Sequence, residues 1–366
     1  MFFLAFLFNL VVSAEPPSPD VSVKQTKILL QGLFGARLNQ DDLNRAAIQG
    51  MLSRIDDLTG LMESKVLTAR EKDEYLSYQM GMREGYGIFV RIMSRRGLVI
   101  DRVFVDGEAY QAGLLANDLI VAINDHPLTG RTASEMETIL NQPHPEEVAF
   151  DIIRNDELLR IAVKHGEFKI SNTSQTDDFI KVHFFGANAA NNLSQAMQKH
   201  SNKRIIIDLR DNAGGLFEEA INAAGLFLEE RTVIGYRRSP NGQEEEIVSG
   251  NDKVVFSTPI YLLVNGGTSG AAELFVAALQ KNKTAIVVGE TSSGNAGEAN
   301  FYPLSDNLFI MLADTELLDP TKTTWNSIGI QPDVFVKAAV SFPSYEGRVI
   351  DIQLETALQL GRGKIP

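Results

Sequence analysis

Apolar residues between positions 21 and 83 recur at intervals of three and four: Ile28, Leu29 and Leu33, then Leu43, Ala46, Ala47, Ile48, Met51, Leu52 and Ile55. That interval puts them on one face of a helix, so the pattern predicts a helical layer packed on something larger. Asp41 and Asp42 open the second run, where carboxylates meet the free N–H groups and the positive end of a helix dipole.

From about residue 85 to 165 the alternation becomes that of strands. Residues 87–90, 97–100, 119–123, 148–153 and 159–163 read as strands, with helical patches at 109–112 and 133–140. Asn155-Asp156 closes a hairpin. About 80 residues suffice for a module with its own core.

A third pattern follows. Residues 204–209 form an apolar strand, Asp211-Asn212-Ala213-Gly214-Gly215 a turn, and 216–230 a helix. The order repeats with a strand at 259–264, the turn Asn265-Gly266-Gly267-Thr268-Ser269-Gly270, a helix at 271–280 and a strand at 285–289. Strand, glycine turn, helix and strand make the βαβ unit of a parallel sheet, so the fold class is α/β. Ligands of such sheets bind beyond the C-terminal strand ends, where both turns fall. Residues 346–366 read as a helical tail.

Composition narrows the chemistry. The 366 residues carry 34 Lys+Arg against 47 Asp+Glu, a formal net charge of −13, which repels a polyphosphate backbone and excludes nucleic acid as a natural partner. Cysteine is absent, which removes thiol catalysis and Cys-ligated zinc. The five histidines (His126, His144, His165, His183, His200) form no ligand pair, so neither a metal nor another cofactor is expected. Residues 1–12 are apolar except for Asn9 and too short to span a bilayer; Val12-Ser13-Ala14 follows as a small-residue cleavage site. This predicts a signal peptide over 1–14, export to the periplasm or the exterior, and no integral membrane segment after cleavage.

The order of parts resembles the C-terminal processing (tail-specific) serine proteases, which join a helical N-terminal region, a PDZ domain and a crotonase-like catalytic domain. Residues 42–56, with Ala-Ile-x-Gly-Met-Leu, look like the helix ahead of the PDZ domain, and Gly85-Tyr86-Gly87-Ile88 like the loop that holds a peptide C-terminus. Ala112-Gly113-Leu114, Asp118-Leu119-Ile120 and Ile123-Asn124 resemble the pattern A-G-L…G-D-x-I…I-N, with Asn117 where glycine is usual. Asp208-Leu209-Arg210-Asp211-Asn212-Ala213-Gly214-Gly215 resembles D-L-R-x-N-P-G-G with Ala213 for proline; Val288-Gly289-Glu290-Thr291 and Gly329-Ile330-Gln331-Pro332-Asp333 fit further blocks. The resemblance implies a helical region at 21–83, a PDZ domain at 84–166 and a protease-like α/β domain at 167–345. Tyr86, Gly87 and Ile88 would then bind a peptide or protein C-terminus as an added strand.

In that family the nucleophile is the first serine of T-A-S-A-S-E, a lysine 25 residues on is the base, and a glutamine four further on assists it. A hydroxyl needs a nearby base, and lysine serves only if burial keeps it neutral. Aligned on Glu273, the nucleophile position is Gly270, the second serine is Ala272, the lysine is Asn295 and the glutamine is Ala299. Neither a hydrogen atom nor a carboxamide can do that chemistry. The backbone N–H groups of Gly214 and Gly215 would remain as an oxyanion-type hole.

Two readings follow. One is an exported pseudoenzyme that binds peptide or protein C-termini as a scaffold or regulator, with an active protease relative or a second copy as partner. The other is an active serine endopeptidase cleaving near C-termini with Ser269 as a displaced nucleophile, although a one-residue shift turns a helical side chain by about 100°. Thr268 and Ser269 also suit helix N-capping, and Lys281 and Lys283 read as solvated charges at the far helix end.

Overall fold

A computed structural model describes residues 19–34, 39–61, 64–93, 95–140, 146–199, 205–250, 256, 260–338 and 351–361. The expected signal peptide, His144, His200, and residues 346–350 and 362–366 of the expected helical tail lie outside the described residues.

The N-terminal region comprises α1 (Pro19–Phe34), α2 (Gln40–Thr59), β1 (Lys65–Thr68), α3 (Ala69–Gln79) and β2 (Met82–Gly85). Asn39 caps α2 by accepting the Asp41 N–H, Asp41 and Asp42 occupy its first turn, and Gly60 ends it in the left-handed conformation (φ 70°). Thr68 and Glu71 form a reciprocal capping box at α3. Arg45 of α2 grips both Glu71 oxygens at 2.8 and 2.7 Å, which fastens α2 to α3.

The helical reading of 21–83 needs correction at β1 and β2. β1 pairs with a strand near residue 310 (Val66↔Ile310), and β2 pairs with β9 (Gly166–Lys169). Four-residue strands leave no measurable period, and their partners lie far along the chain.

The second unit holds β3 (Ile88–Met93), β4 (Gly97–Val103), α4 (Glu108–Gln111), β5 (Leu119–Ile123), β6 (His126–Pro127), α5 (Ala133–Leu140), β7 (Glu147–Arg154) and β8 (Glu157–Lys164). Its antiparallel sheet runs β3-β4-β5-β7-β8 with β6 on β5, around a core that includes Ile100, Ile120, Met136 and Phe150. Asp118, almost wholly buried, receives Arg154 through two hydrogen bonds of 2.7 and 2.6 Å and the Leu115 N–H, which fixes the turn before β5.

The third unit adds β10 (Thr173–Gln175), β11 (Ile180–Val182), α6 (Ala189–Lys199), β12 (Ile205–Asp208), α7 (Phe217–Gly225), β13 (Val233–Arg238), β14 (Glu244–Val248) and β15 (Ile260–Val264). It closes with α8 (Ala271–Lys281), β16 (Ala285–Gly289), β17 (Gly297–Ser305), β18 (Leu308–Leu318), β19 (Val334–Phe335) and α9 (Ile352–Gly361). One sheet runs β10-β11-β12-β15-β16-β19, parallel from β11 onward. Every residue of β12 and β15 is buried, as a parallel strand with both faces covered requires. α6, α7 and α8 cover one face and α9 the other, where Ala357 packs among Ile206, Tyr261, Leu263 and Val288. α7 is shorter than the 216–230 expected: beyond Gly225 the chain tightens into three-residue turns that carry Phe227 and Leu228 into the core.

A second, antiparallel sheet has the order β1-β18-β13-β14 with β17 on β18. The register Asp208↔Leu263 and Val264↔Gly289 brings both glycine turns to one edge of the parallel sheet, directly before α7 and α8.

Candidate functional site

Gly270 is the N-cap of α8, with φ 55° and ψ −119°, a conformation that a side chain makes costly. Its N–H donates to Glu273 Oε2 at 3.0 Å. Glu273 has no solvent exposure, yet both its oxygens are filled. Oε1 accepts from the Ser292 hydroxyl (2.5 Å) and the Gly294 N–H (2.7 Å), and Oε2 also accepts from the Asn295 N–H (2.9 Å). Burial raises the Glu273 pKa above the ordinary carboxylate value, against the opposing pull of these four donors. Ser292 Oγ in turn accepts the Ile330 N–H at 2.7 Å. One buried carboxylate thus ties the start of α8 to the loop at 292–295.

That tie brings Gly270, Asn295 and Ala299 to the wall of one cleft of about 340 Å³, with Gly215 also on it. Tyr75, Leu76 and Gln79 of α3 and Phe301 of β17 close the cleft, and Tyr75 meets Phe301 edge-on at 5.8 Å. Among the described residues no serine, threonine, histidine or lysine lines it; the hydroxyl among them is that of Tyr75, and the carboxylates are Glu218 and Glu298. Arg237 holds both acids, at 2.7 Å from each. A Cβ on Gly270 would find its nearest neighbour, Gly214 Cα, 4.0 Å away, so the space that a side chain would fill is open.

The glycine turn after β12 divides its roles. The Gly214 N–H donates to Asn212 Oδ1 (2.9 Å), while Asn212 Nδ2 donates to Val182 O (2.9 Å), so Gly214 is spent on the turn. The Gly215 N–H meets no acceptor among the described residues, and a Cβ there would strike Phe185 O at 2.5 Å. The Ala271 N–H, first in α8, has no acceptor within its own helix.

Ser269 lies beside the cleft, not in its wall; its N–H donates to Asn212 O at 2.9 Å. Neither it nor Thr268 caps α8. The Thr268 hydroxyl donates to Leu209 O (2.9 Å) and accepts the Asn265 N–H (3.1 Å), which joins the two glycine turns. Lys281 is not a free solvated charge: it pairs with the buried Asp319 at 3.2 Å, at the opposite end of α8. Among the described residues no cluster of three or more potential metal ligands occurs, and no helix is long and apolar enough to cross a membrane.

Tyr86, Gly87 and Ile88 border a second, larger groove of about 740 Å³ along β3. Gly87 adopts φ 77°, and a Cβ on it would stand 2.7 Å from Gly107 Cα, so two glycine backbones touch here. The Tyr86 and Gly87 carbonyls accept the Ala109 and Phe104 N–H groups at 2.9 Å each, which fixes the loop against α4. The Tyr86 ring is buried edge-on to Phe150 (5.2 Å) and His165 (5.3 Å), and burial pushes its hydroxyl up to about 12. Ile88, Val90, Leu140 and Phe168 give the groove an apolar wall; Arg70 and Arg83 reach it from outside β3 and α5.

Sequence reading found positions 270, 295, 299 and 215 but missed the partners that hold and enclose them. Glu273 served only as an alignment mark. Nothing in the pattern singled out α3 as a cleft wall or Arg83 as a groove residue, because both depend on contacts made in three dimensions.

Comparison with known proteins follows this division. Residues 179–336 match the model of peptidase family S41, and residues 99–154 match the PDZ domain. The chain is 27% identical over 335 residues to carboxyl-terminal-processing peptidase 1, chloroplastic, of Arabidopsis thaliana, covering 86% of this chain and 66% of that protein. It is 26% identical over 339 residues to the carboxyl-terminal-processing protease of Synechocystis, covering 87% and 77%. Among solved structures, a photosystem II D1 C-terminal processing protease superposes with a TM-score of 0.51 at 20% identity, covering 88% of this chain and 89% of that one. At that identity the likeness shows the fold. The chain spans just under two thirds of the Arabidopsis protein's length.

Proposed function

We propose that this chain, a PDZ-containing relative of the C-terminal processing proteases with a peptidase family S41 domain, binds peptide or protein C-termini without cleaving them. The observation that carries this reading is the lining of the cleft. Serine-type hydrolysis needs a hydroxyl within reach of a base, and among the described residues neither serine nor lysine nor histidine lines the cleft. Its available backbone N–H groups at Gly215 and Ala271 suit a carbonyl or carboxylate that is held and released.

The groove at Tyr86-Gly87-Ile88 receives the chain terminus, and the extended peptide adds along β3. Such a protein acts as a scaffold, or as a regulator of an active relative or of a second copy of itself. The apolar stretch and small-residue site at 1–14 support export to the periplasm or the exterior.

The rival reading makes Ser269 the nucleophile. Its position outside the cleft wall, and the commitment of Lys281 to Asp319, count against it. The test is incubation of the purified protein with casein and with peptides of free C-terminus, followed by mass spectrometry. The expected result is intact substrate from both the parent and Ser269→Ala. Cleavage that disappears in Ser269→Ala replaces the present reading with the rival.

A further inference from the structure

The cleft between α3, α7 and α8 carries more negative than positive charge. Glu218 and Glu298 line it, no cation does among the described residues, and one guanidinium, Arg237, serves both acids. The sharing is unequal. Arg237 donates to both Glu298 oxygens, from Nε to Oε2 at 2.7 Å and from Nη2 to Oε1 at 3.2 Å, a forked pair. Glu218 receives one bond, from the same Nη2 to its Oε1 at 2.7 Å, and no donor among the described residues reaches its Oε2. Its side chain is 72% exposed, against 20% for Glu298. An exposed ion pair of this kind contributes little, so Glu218 can turn to another cation at small cost.

The walls beside it are apolar. Leu76, Phe217 and Ala299 line the cleft together with the rings of Tyr75 and Phe301. At about 340 Å³ the recess lies at the small end for ligand sites, which suits one side chain of an extended peptide. Lysine and arginine lay a long stem along such walls and keep the charged end at the water-facing rim, where Glu218 stands. Aromatic rings also attract a cation that reaches their faces. An acidic side chain in the same place would meet Glu218 as a like charge, with Arg237 already taken.

We propose that Glu218 is a specificity-determining residue of this cleft, selecting peptides that place a lysine or arginine side chain in it. The proposal rests on the cleft being a peptide site, as argued above. The carbonyl held at Gly215 and Ala271 and the cation taken by Glu218 then belong to one bound segment.

The experiment uses fluorescence polarisation with fourteen-residue peptides of alanine and serine that end in valine. The dye blocks the amino end, so a cation can come only from a side chain. Arginine is placed in turn at each position from the fourth to the twelfth from the end. Every peptide is paired with its citrulline counterpart, which keeps the shape without the charge, and lysine with acetyl-lysine repeats the best position. With the parent protein, at least one position shows about fivefold tighter binding of the arginine peptide, as one exposed ion pair supplies. Glu218→Gln brings that ratio to about one, and Glu218→Lys turns it below one. Glu230→Gln, which removes the same charge at an exposed position beyond the far end of α7, keeps it. Equal affinities at every position in the parent overturn the proposal and leave the peptide reading in place. A preference that survives Glu218→Gln, or that Glu230→Gln also abolishes, overturns it too. If Glu218→Gln fails to fold, Glu218→Lys carries the test, and a preference for arginine there overturns the proposal. Absence of binding by every peptide, charged or not, removes both the proposal and the reading it rests on.

Discussion

Gly270 and Asn295 donate their backbone N–H groups to the same oxygen, Glu273 Oε2, at 3.0 and 2.9 Å. The two positions that the motif spacing equates with nucleophile and base are therefore held as neighbours by main-chain contacts that do not depend on either side chain. Glu273 does this from a site with no solvent exposure, so its own chemistry is what the cleft's shape depends on.

Glu273→Gln keeps the volume but presents an NH₂ group to donors. Two of four contacts become donor against donor in a buried site, and the expected loss is about 2–4 kcal/mol. A urea melt followed by circular dichroism measures it. Unchanged stability would mean that the loop at 292–295 is held by other contacts.

Gly270→Ser meets open space but must adopt φ near 55°, so it costs about 1–3 kcal/mol of backbone strain while still folding. Alone it is expected to gain no cleavage, because among the described residues neither lysine nor histidine lines the cleft and Arg237 holds both of its carboxylates. Combined with Asn295→Lys it places a hydroxyl and an amine on one wall, and a serine-directed phosphonate probe should then label residue 270. Peptide mapping of the labelled protein gives the answer.

Gly87→Ala is expected to destabilise the second unit by roughly 2–3 kcal/mol, because its Cβ would enter the space of Gly107 Cα at positive φ. Larger residues at 87 would unfold the loop, not merely block it. Substitution at Ile88 or Leu140, on the apolar wall, is the cleaner way to weaken peptide binding. Calorimetry on Leu140→Ala should show weaker binding with the melting temperature nearly kept.

His183 is expected to weaken the fold in acid. Burial, then Arg102 and Lys181, hold its pKa at about 4, below the ordinary 6.5, and its Nε2 meets Ser174 Oγ at 2.8 Å. A histidine kept neutral in the fold takes up its proton more readily when unfolded. Its contribution is therefore full above pH 6.5 and is lost as pH falls from 6.5 towards 4. The size is on the order of 2–3 kcal/mol. His183→Gln should flatten the fall in stability between pH 7 and pH 4.5 in urea melts, and a parallel fall in both proteins would assign the effect elsewhere.

Long, periodic elements were legible in the amino-acid order: β5, α5 and β16 lie where the pattern puts them, and β15 and α8 differ by a residue at one end. The hairpin of β17 and β18 was not, because Glu298, Ala299, Asn300 and Phe301 show no clean alternation and the strand's partner defines it. β1 and β2 failed for a similar reason: Lys65-Val66-Leu67-Thr68 becomes a strand only against Met311-Ile310-Phe309-Leu308. At the cleft, spacing located residues 270, 295 and 299, since a fixed interval survives substitution. The walls from α3 carry no spacing signal, because they come from another part of the chain.

The contacts that clamp Glu273 are main-chain donors and one hydroxyl from outside the cleft, so the frame does not draw on the side chains at 270 and 295. On the non-cleaving reading, a compound that bonds covalently to a catalytic serine finds no hydroxyl at position 270. Reversible compounds shaped to the same walls still find a fitting recess. A pair of inhibitors differing only in the reactive group is therefore expected to bind this chain equally well if the non-cleaving reading holds.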